Sequence, residues 1–328
     1  MTASPASMSS IDGVPELRRP RRLRAGDQVA VVCPVGPPKS EVLTAGVEIL
    51  RSWGLVVRLG EHVGAKHPKL DYLAGTDAER TADLQAAWCD PEVRAVFCAR
   101  GGYGSIRLLD RLDWDAMAAA GPKLLVGSSD VTGLHQVLGP MVGVATIFGP
   151  MVGTRSFTED PVAREHLHAM LFEPESGPAT ALAGPAAEPL VAGEARGQLV
   201  GGNLSLVVSG RGVPDVPSPP PGAIGLLEDV NEEPYRIDHF LTHLRRAGWF
   251  DKLGGLALGS WDDCGDDPTA VRSVIEDRVG DLGIPVIWEL GFGHCRGQLS
   301  MPLGVEAELV SNPAAGIANL TLTRPALT

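Results

Sequence analysis

Four short stretches of the sequence combine glycine with a reactive side chain, each directly behind an apolar run. The first is Gly127-Ser128-Ser129-Asp130-Val131, behind Lys123-Leu-Leu-Val. A serine at such a strand-to-helix turn stands exposed above a sheet, and the backbone N–H of the next residue is free to stabilise an oxyanion. The pattern is Gly-x-Ser-Asp, with Val131 where a hydrolase elbow carries glycine, and a helix cap is the commoner use of residues like Ser129 or Asp130. The second is Arg100-Gly101-Gly102-Tyr103-Gly104-Ser105, behind Ala95-Val-Phe-Cys98. Glycines there let the backbone approach a ligand closely, which suits a phosphate or an oxyanion. The loop lacks the Gly-Lys-Ser/Thr of a P-loop and is not Gly-x-Gly-x-x-Gly.

The third stretch, Ile224-Gly-Leu-Leu-Glu228-Asp229, ends a hydrophobic strand in two carboxylates, with Glu228 nearest the core and Glu232 and Glu233 as loop charges beyond. The fourth, Gly291-Phe-Gly293-His294-Cys295, follows Ile284-Pro-Val-Ile-Trp288 and offers a histidine as base or acid. In chain order Ser129, Glu228 and His294 supply a nucleophile, an orienting carboxylate and a general base. His135, His239 and His243 stay open as alternatives for the base. His166-x-His168 has no third metal ligand nearby, and Asp262-Asp263-Cys264-Gly265-Asp266-Asp267 lacks EF-hand spacing, so no metal is expected.

These residues need a frame. Strand-like runs at 28–32, 55–59, 95–98 and 123–127 alternate with helical patterns at 41–53, 77–88, 105–112 and 131–138, which predicts an α/β fold with a parallel sheet covered by helices. Such sheets hold ligands at the carboxyl ends of their strands. A helical stretch follows at 162–171. From 173 to 194 the chain is rich in Ala, Pro, Gly and Glu without a period and reads as a linker. A second half begins near Gly197, with helical stretches at 236–247 and 269–279.

The chain has 328 residues and a formal net charge of −12, which predicts about two domains and excludes nucleic acid as a default partner. Its 40 glycines and 27 prolines raise the question of disorder, answered by the apolar runs throughout. The five cysteines are scattered without a Cys-x-x-Cys, so neither a disulfide framework nor a zinc cluster is indicated and a reducing cytoplasm is expected. Arg18-Arg19-Pro20-Arg21-Arg22 precedes an apolar run too short for an export signal and reads as a solvated patch on a disordered tail. The longest uncharged run elsewhere, 137–153, is too short to span a bilayer.

The set Arg100-Gly-Gly-Tyr-Gly-Ser-x-Arg107, Gly127-x-Ser129-Asp130-x-Thr132-x-Leu-His135, Gly201-Gly202-Asn203-Leu204, Leu227-Glu228-Asp229 with Glu233-x-Tyr235-Arg236-Ile-Asp238, and Gly293-His294 resembles the LD-carboxypeptidases, serine peptidases of the S66 type. That family includes the microcin C self-immunity hydrolases. The resemblance implies Ser129 as nucleophile, Glu228 as carboxylate and His294 as base, with the backbone N–H groups of Gly102 and Asp130 as oxyanion hole. Arg100, by position, and Tyr103 are the implied substrate contacts. It implies a flavodoxin-like N-terminal domain resembling class I amidotransferases and a C-terminal domain built on a small β-barrel. The expected divisions are a tail at 1–21, a nucleophile domain at 22–155, a linker at 156–196 and a domain carrying Glu and His at 197–328. A homodimer without metal or cofactor is implied.

Three positions depart from the family pattern: Phe148 for a histidine, His239 for an arginine and Ser128 for an aromatic. The leading functional expectation is hydrolysis of an amide between an L-centre and a C-terminal D-amino acid, as in murein tetrapeptide during cytoplasmic wall recycling. The alternative is cleavage of a peptidyl or aminoacyl nucleotide antibiotic, and a non-catalytic binding protein of the same fold is a third. A nucleotide-dependent oxidoreductase is disfavoured because the glycine loop follows the third strand instead of the first.

Overall fold

Apolar runs without polar alternation become strands covered on both faces, because such strands have no side to show to water. In the computed structural model, which describes residues 16–328, four of them and one largely exposed edge strand form a parallel sheet. They are β1 (Gln28–Val32), β2 (Val56–Leu59), β3 (Val93–Cys98), β4 (Leu124–Gly127) and β5 (Thr146–Phe148), arranged in the order β2-β1-β3-β4-β5. Successive residues serve opposite faces. Val29, Val31, Ala95, Phe97, Leu124 and Val126 pack with Leu43, Val47 and Leu50 of the helix Ser40–Ser52. Val32, Val96, Cys98 and Leu125 pack with Leu84 and Trp88 of the helix Asp77–Cys89 and with Leu134 and Leu138 of the helix Thr132–Val142.

The second sheet is mixed. It contains β6 (Glu188–Val191), β7 (Gly193–Asn203), β8 (Ile224–Glu228), β9 (Gly255–Leu258) and β10 (Val286–Trp288), and past β11 (Met301–Leu303) it gains β12 (Glu306–Asn312) and β13 (Ile317–Leu322). The order β13-β12-β7-β8-β9-β10-β6 has parallel pairing from β7 to β10 and antiparallel pairing elsewhere. Its two ends approach each other, with β6 against β12 and β13, so the sheet is nearly barrel-shaped. Leu241 and Leu244 of the helix Pro234–Arg246 and Val271 and Ile275 of the helix Pro268–Val279 cover β8 and β9 through Leu227, Leu256 and Leu258. β11 leaves this half altogether and pairs antiparallel with β5, completing the first sheet.

Two expectations need correction. Residues 156–196, read as a linker, fold into the helices Pro161–Phe172 and Gly177–Thr180 and into β6, with Leu167, Met170, Ala179 and Leu182 buried. The first of these helices matches the helical stretch expected at 162–171, and Pro161 and Pro178 sit in the first turns of the two helices, where a missing N–H costs nothing. The tail expected at 1–21 lies outside the described residues up to residue 15, but 16–21 are held. The Arg18 N–H donates to the Gly143 carbonyl, the Arg18 carbonyl accepts from the Ala145 N–H, and the Arg18 and Arg19 guanidinium groups donate to the Val142 and Pro325 carbonyls. Arg21 pairs with Asp27 at 2.8 Å and Arg22 with Glu175, so the arginine cluster is a set of anchors. No helix among the described residues is long and apolar enough to cross a membrane.

Candidate active site

The chain leaves β4 at Gly127, passes through extended Ser128 and turns sharply at Ser129 into a short 3-10 segment, Ser129–Val131, and then the helix Thr132–Val142. Ser129 has φ 57°, a left-handed conformation that a side chain adopts at a cost of about 1–3 kcal/mol and that recurs at functional sites. The glycine loop lies directly against it. A Cβ on Gly101 would fall 2.9 Å from the Ser129 Cβ, so only glycine allows the approach. Gly102 follows with φ 116°, and among the described residues nothing accepts from its N–H.

Asp130 turns its side chain inward. One carboxylate oxygen accepts from the Ser105 N–H at 2.7 Å, and the Ser105 hydroxyl donates to the Asp130 carbonyl. Burial pushes the Asp130 carboxyl up, and the Ser105 bonds pull it partly back. The turn at Ser129 and the glycine loop are therefore fastened to each other.

His135 is removed from the candidates for the base. It is buried on the helix behind Ser129, with Nε2 2.9 Å from the Gly127 carbonyl and Nδ1 2.8 Å from the Thr146 hydroxyl. Burial depresses its pKa to about 4 against the opposing Gly127 bond, so the ring is neutral, with Nε2 donating and Nδ1 accepting. His239 and His243 are exposed on the helix Pro234–Arg246 and do not line the cleft at Ser129. His166 accepts from the Ser300 N–H at 3.0 Å, and His168 stacks on Phe172 at 4.5 Å. No group of three or more His, Cys, Asp or Glu able to hold a metal occurs among the described residues.

Glu228 ends β8 beside Asn203, the last residue of β7, and is fully buried. The Asn203 amide donates to Glu228 Oε1 at 3.3 Å and to Asp229 Oδ1 at 2.9 Å. The other Glu228 oxygen lies 2.7 Å from His294 Nδ1, which donates and leaves Nε2 as the acceptor. Gly293, with φ 106°, makes this possible, since a Cβ there would fall 2.5 Å from Glu228 Oε2. Burial of His294 works against its charge, but Glu228 foremost, with Asp229 and Asp262, outweighs burial and raises its pKa above the ordinary 6.5. Asp229 is itself pushed up to about 6 by burial and by Glu228, while it accepts from the Ser205 and Val230 N–H groups.

Ser128, Ser129, Gly102, His294 and Asp262 line one cleft of about 870 Å³, together with Arg100, Arg155 and Arg296. No hydrogen bond joins Ser129 to His294 in this structure. Arg100 is exposed and donates to the Pro37 carbonyl at 2.8 Å. Tyr103 is not among the lining residues. The loop turns at Gly102 and Gly104, both at positive φ, and leaves it exposed and edge-on to Tyr72 with ring centroids 5.8 Å apart. Of the three departures, only Ser128 reaches the cleft, while Phe148 is buried against Phe292 and His239 is exposed.

Thr132 carried no assigned role in the motif reading, yet its hydroxyl accepts from the Asn203 N–H at 3.0 Å. One buried bond thus joins the helix behind Ser129 to the residue that holds Glu228. The available signal was Asn203 itself, a cap whose side chain accepts from Leu206 N. Gly202, at φ 133°, lies so close that a Cβ would meet the Thr132 hydroxyl at 2.7 Å. Gly202→Ala is expected to cost about 1–3 kcal/mol in urea unfolding, through backbone strain and the forced shift of Thr132. Unchanged stability would show that the two halves tolerate a change of spacing.

With His294 as base, kcat/KM is expected to rise with pH through a midpoint above 6.5, because only the neutral imidazole accepts a proton. An acid limb centred below that value in the pH–rate profile would assign the titration to another group.

Comparison with known proteins gives a consistent result. Residues 29–149 match the family model of the LD-carboxypeptidase N-terminal domain and residues 196–309 that of the LD-carboxypeptidase C-terminal domain. A protein of Streptomyces coelicolor, provisionally named a carboxypeptidase, is 50% identical over 95% of this chain and 98% of its own. The murein tetrapeptide carboxypeptidase of Pseudomonas aeruginosa is 31% identical over 87% of this chain and 94% of its own. The structure of MccF in complex with glutamyl sulfamoyl guanosine shares the fold, with a TM-score of 0.83 at 22% identity, over 94% of this chain and 99% of that one.

Proposed function

The chain belongs to the LD-carboxypeptidase family, and we propose that it is a serine carboxypeptidase that removes a C-terminal D-amino acid from an L-configured centre, with murein tetrapeptide as substrate. The observation that carries this reading is the 2.7 Å pairing of buried Glu228 with His294, in a cleft that also presents Ser129 on a strained turn. Glu228 fixes the tautomer in which His294 Nε2 accepts a proton. Ser129 Oγ attacks the scissile carbonyl as His294 takes its proton, and the Gly102 and Asp130 N–H groups receive the oxyanion. Collapse breaks the C–N bond, with His294 returning the proton to the departing amine. Water then repeats the sequence on the acyl-enzyme. In this scheme Arg100, at the cleft edge, is the charge-assisted donor to the free terminal carboxylate of the substrate's D-amino acid.

The strand order β2-β1-β3-β4-β5 supports a flavodoxin-like reading of the nucleophile half. Five free thiols among the described residues fit a reducing cytoplasm, and a homodimer completes the proposal. The deciding experiment incubates the protein with murein tetrapeptide, its all-L isomer and an aminoacyl nucleotide. Release of D-Ala from the first alone is the expected result. Turnover of only the nucleotide conjugate would replace this reading by the immunity-type hydrolase, and no turnover of any would favour a binding protein.

A further inference from the structure

We propose that Arg80 is a positioning residue that sets the oxyanion loop at Gly101 and Gly102, an inference that rests on the hydrolase reading above. Arg80 lies on the helix Asp77–Cys89 and is 1% exposed. It does not line the cleft, so it acts through the backbone it holds.

Its guanidinium reaches two loops at once. Nη1 donates to the Pro34 carbonyl, just beyond β1, and to the Gly104 carbonyl at 3.0 Å, in the loop beyond β3. Nη2 pairs with Asp77, whose carboxylate also takes Arg107 through Nε at 2.9 Å and Nη2 at 2.8 Å. From Pro34 the chain runs to Gly36, whose N–H donates to the Gly101 carbonyl at 3.1 Å. From Gly104 it runs to Ser105 and through it to Asp130, the neighbour of the nucleophile. The loop is thus gripped at Gly101 and at Gly104, on both sides of Gly102, and both grips converge on one side chain. Gly104 is shaped to this contact, since its φ is 123° and a Cβ there would fall 2.8 Å from Arg80 Nη1.

Burying a cation is costly even when it is paired, and an apolar side chain of similar volume fills such a space at less expense. What arginine adds is a rigid planar fork that can donate to two carbonyls and a carboxylate in fixed directions. A lysine ammonium at the same place keeps the charge but cannot span the three acceptors. The arrangement therefore specifies loop position more than it specifies stability.

The test uses Arg80→Lys and the milder Asp77→Asn, each checked for a native circular-dichroism spectrum. Kinetics on the tetrapeptide are paired with affinity for a peptide aldehyde, which adds Ser129 Oγ and leaves an oxyanion in the loop. Direct tetrapeptide binding is measured in the Ser129→Ala background. Arg80→Lys is expected to lower kcat and aldehyde affinity together by about 10–100-fold, with tetrapeptide binding changed less than about threefold. Asp77→Asn is expected to move both quantities in the same direction by a smaller factor, and carries the test if Arg80→Lys fails to fold. Unchanged kcat and aldehyde affinity in a folded variant would overturn the inference, as would equal losses in aldehyde and tetrapeptide binding. Wild-type protein that neither cleaves the tetrapeptide nor binds the aldehyde would overturn the tetrapeptide carboxypeptidase reading itself.

Discussion

Ser129→Ala is expected to reduce kcat on the preferred substrate by about 10⁴- to 10⁶-fold, leaving only the rate that binding and the oxyanion loop sustain without a nucleophile. Substrate affinity should persist, because the cleft walls at Arg100, Arg155 and Arg296 are untouched. Mass spectrometry after treatment with a fluorophosphonate checks the assignment directly: the wild type should gain one adduct on Ser129 and the variant none. Turnover close to wild type would sink the nucleophile assignment. Labelling at Ser128, one residue away and also in the cleft, would move it by one position.

Glu228→Gln is expected to cost about 10⁴-fold in kcat with little change in affinity. The size follows from hydrogen-bond bookkeeping around a fully buried group. The Asn203 amide donates to Glu228 Oε1, so a glutamine must keep its oxygen there. Its NH₂ then faces His294 Nδ1 and donates, which forces the ring proton onto Nε2, the nitrogen that has to accept from Ser129. The geometry survives while the tautomer is wrong. Removing the carboxylate also removes the main influence that raises the His294 pKa and leaves burial opposed only by Asp229 and Asp262. The acid limb of the pH–rate profile should therefore move to lower pH in the variant. A limb that stays in place would show that Glu228 does not govern His294.

The first sheet was legible because its strands are bare apolar runs and its helices carry one apolar stripe. β4 and the helix Thr132–Val142 together pointed to Ser129 as a candidate, the end of β8 to Glu228 and the glycine stretch after β10 to His294. β5 was hidden inside an uncharged run flanked by Pro140 and Pro150, where no period distinguishes strand from helix. β11 is three residues with a proline at its centre, and its pairing with β5 is a contact across some 150 residues of chain that no local pattern records. Arg80 was illegible for another reason. It lies among Asp77, Glu79 and Asp83 on a helix that looks like a solvated charged face, and only the fold turns that arginine inward. Asp130 was read through its backbone N–H or as a helix cap, while its side chain proved to be the fastener to Ser105.

The pairing of β11 with β5 has a consequence for biosynthesis. The half that carries Ser129 is encoded first, yet the outer edge of its sheet stays uncovered until residue 303 has left the ribosome. Until then β5 offers a row of unpaired N–H and C=O groups to any neighbouring nascent chain. His294 emerges only shortly before the strand that closes this edge. On the proposed role of His294, the same late segment both supplies the base and seals this border, so a chain interrupted earlier is expected to be inert as well as exposed.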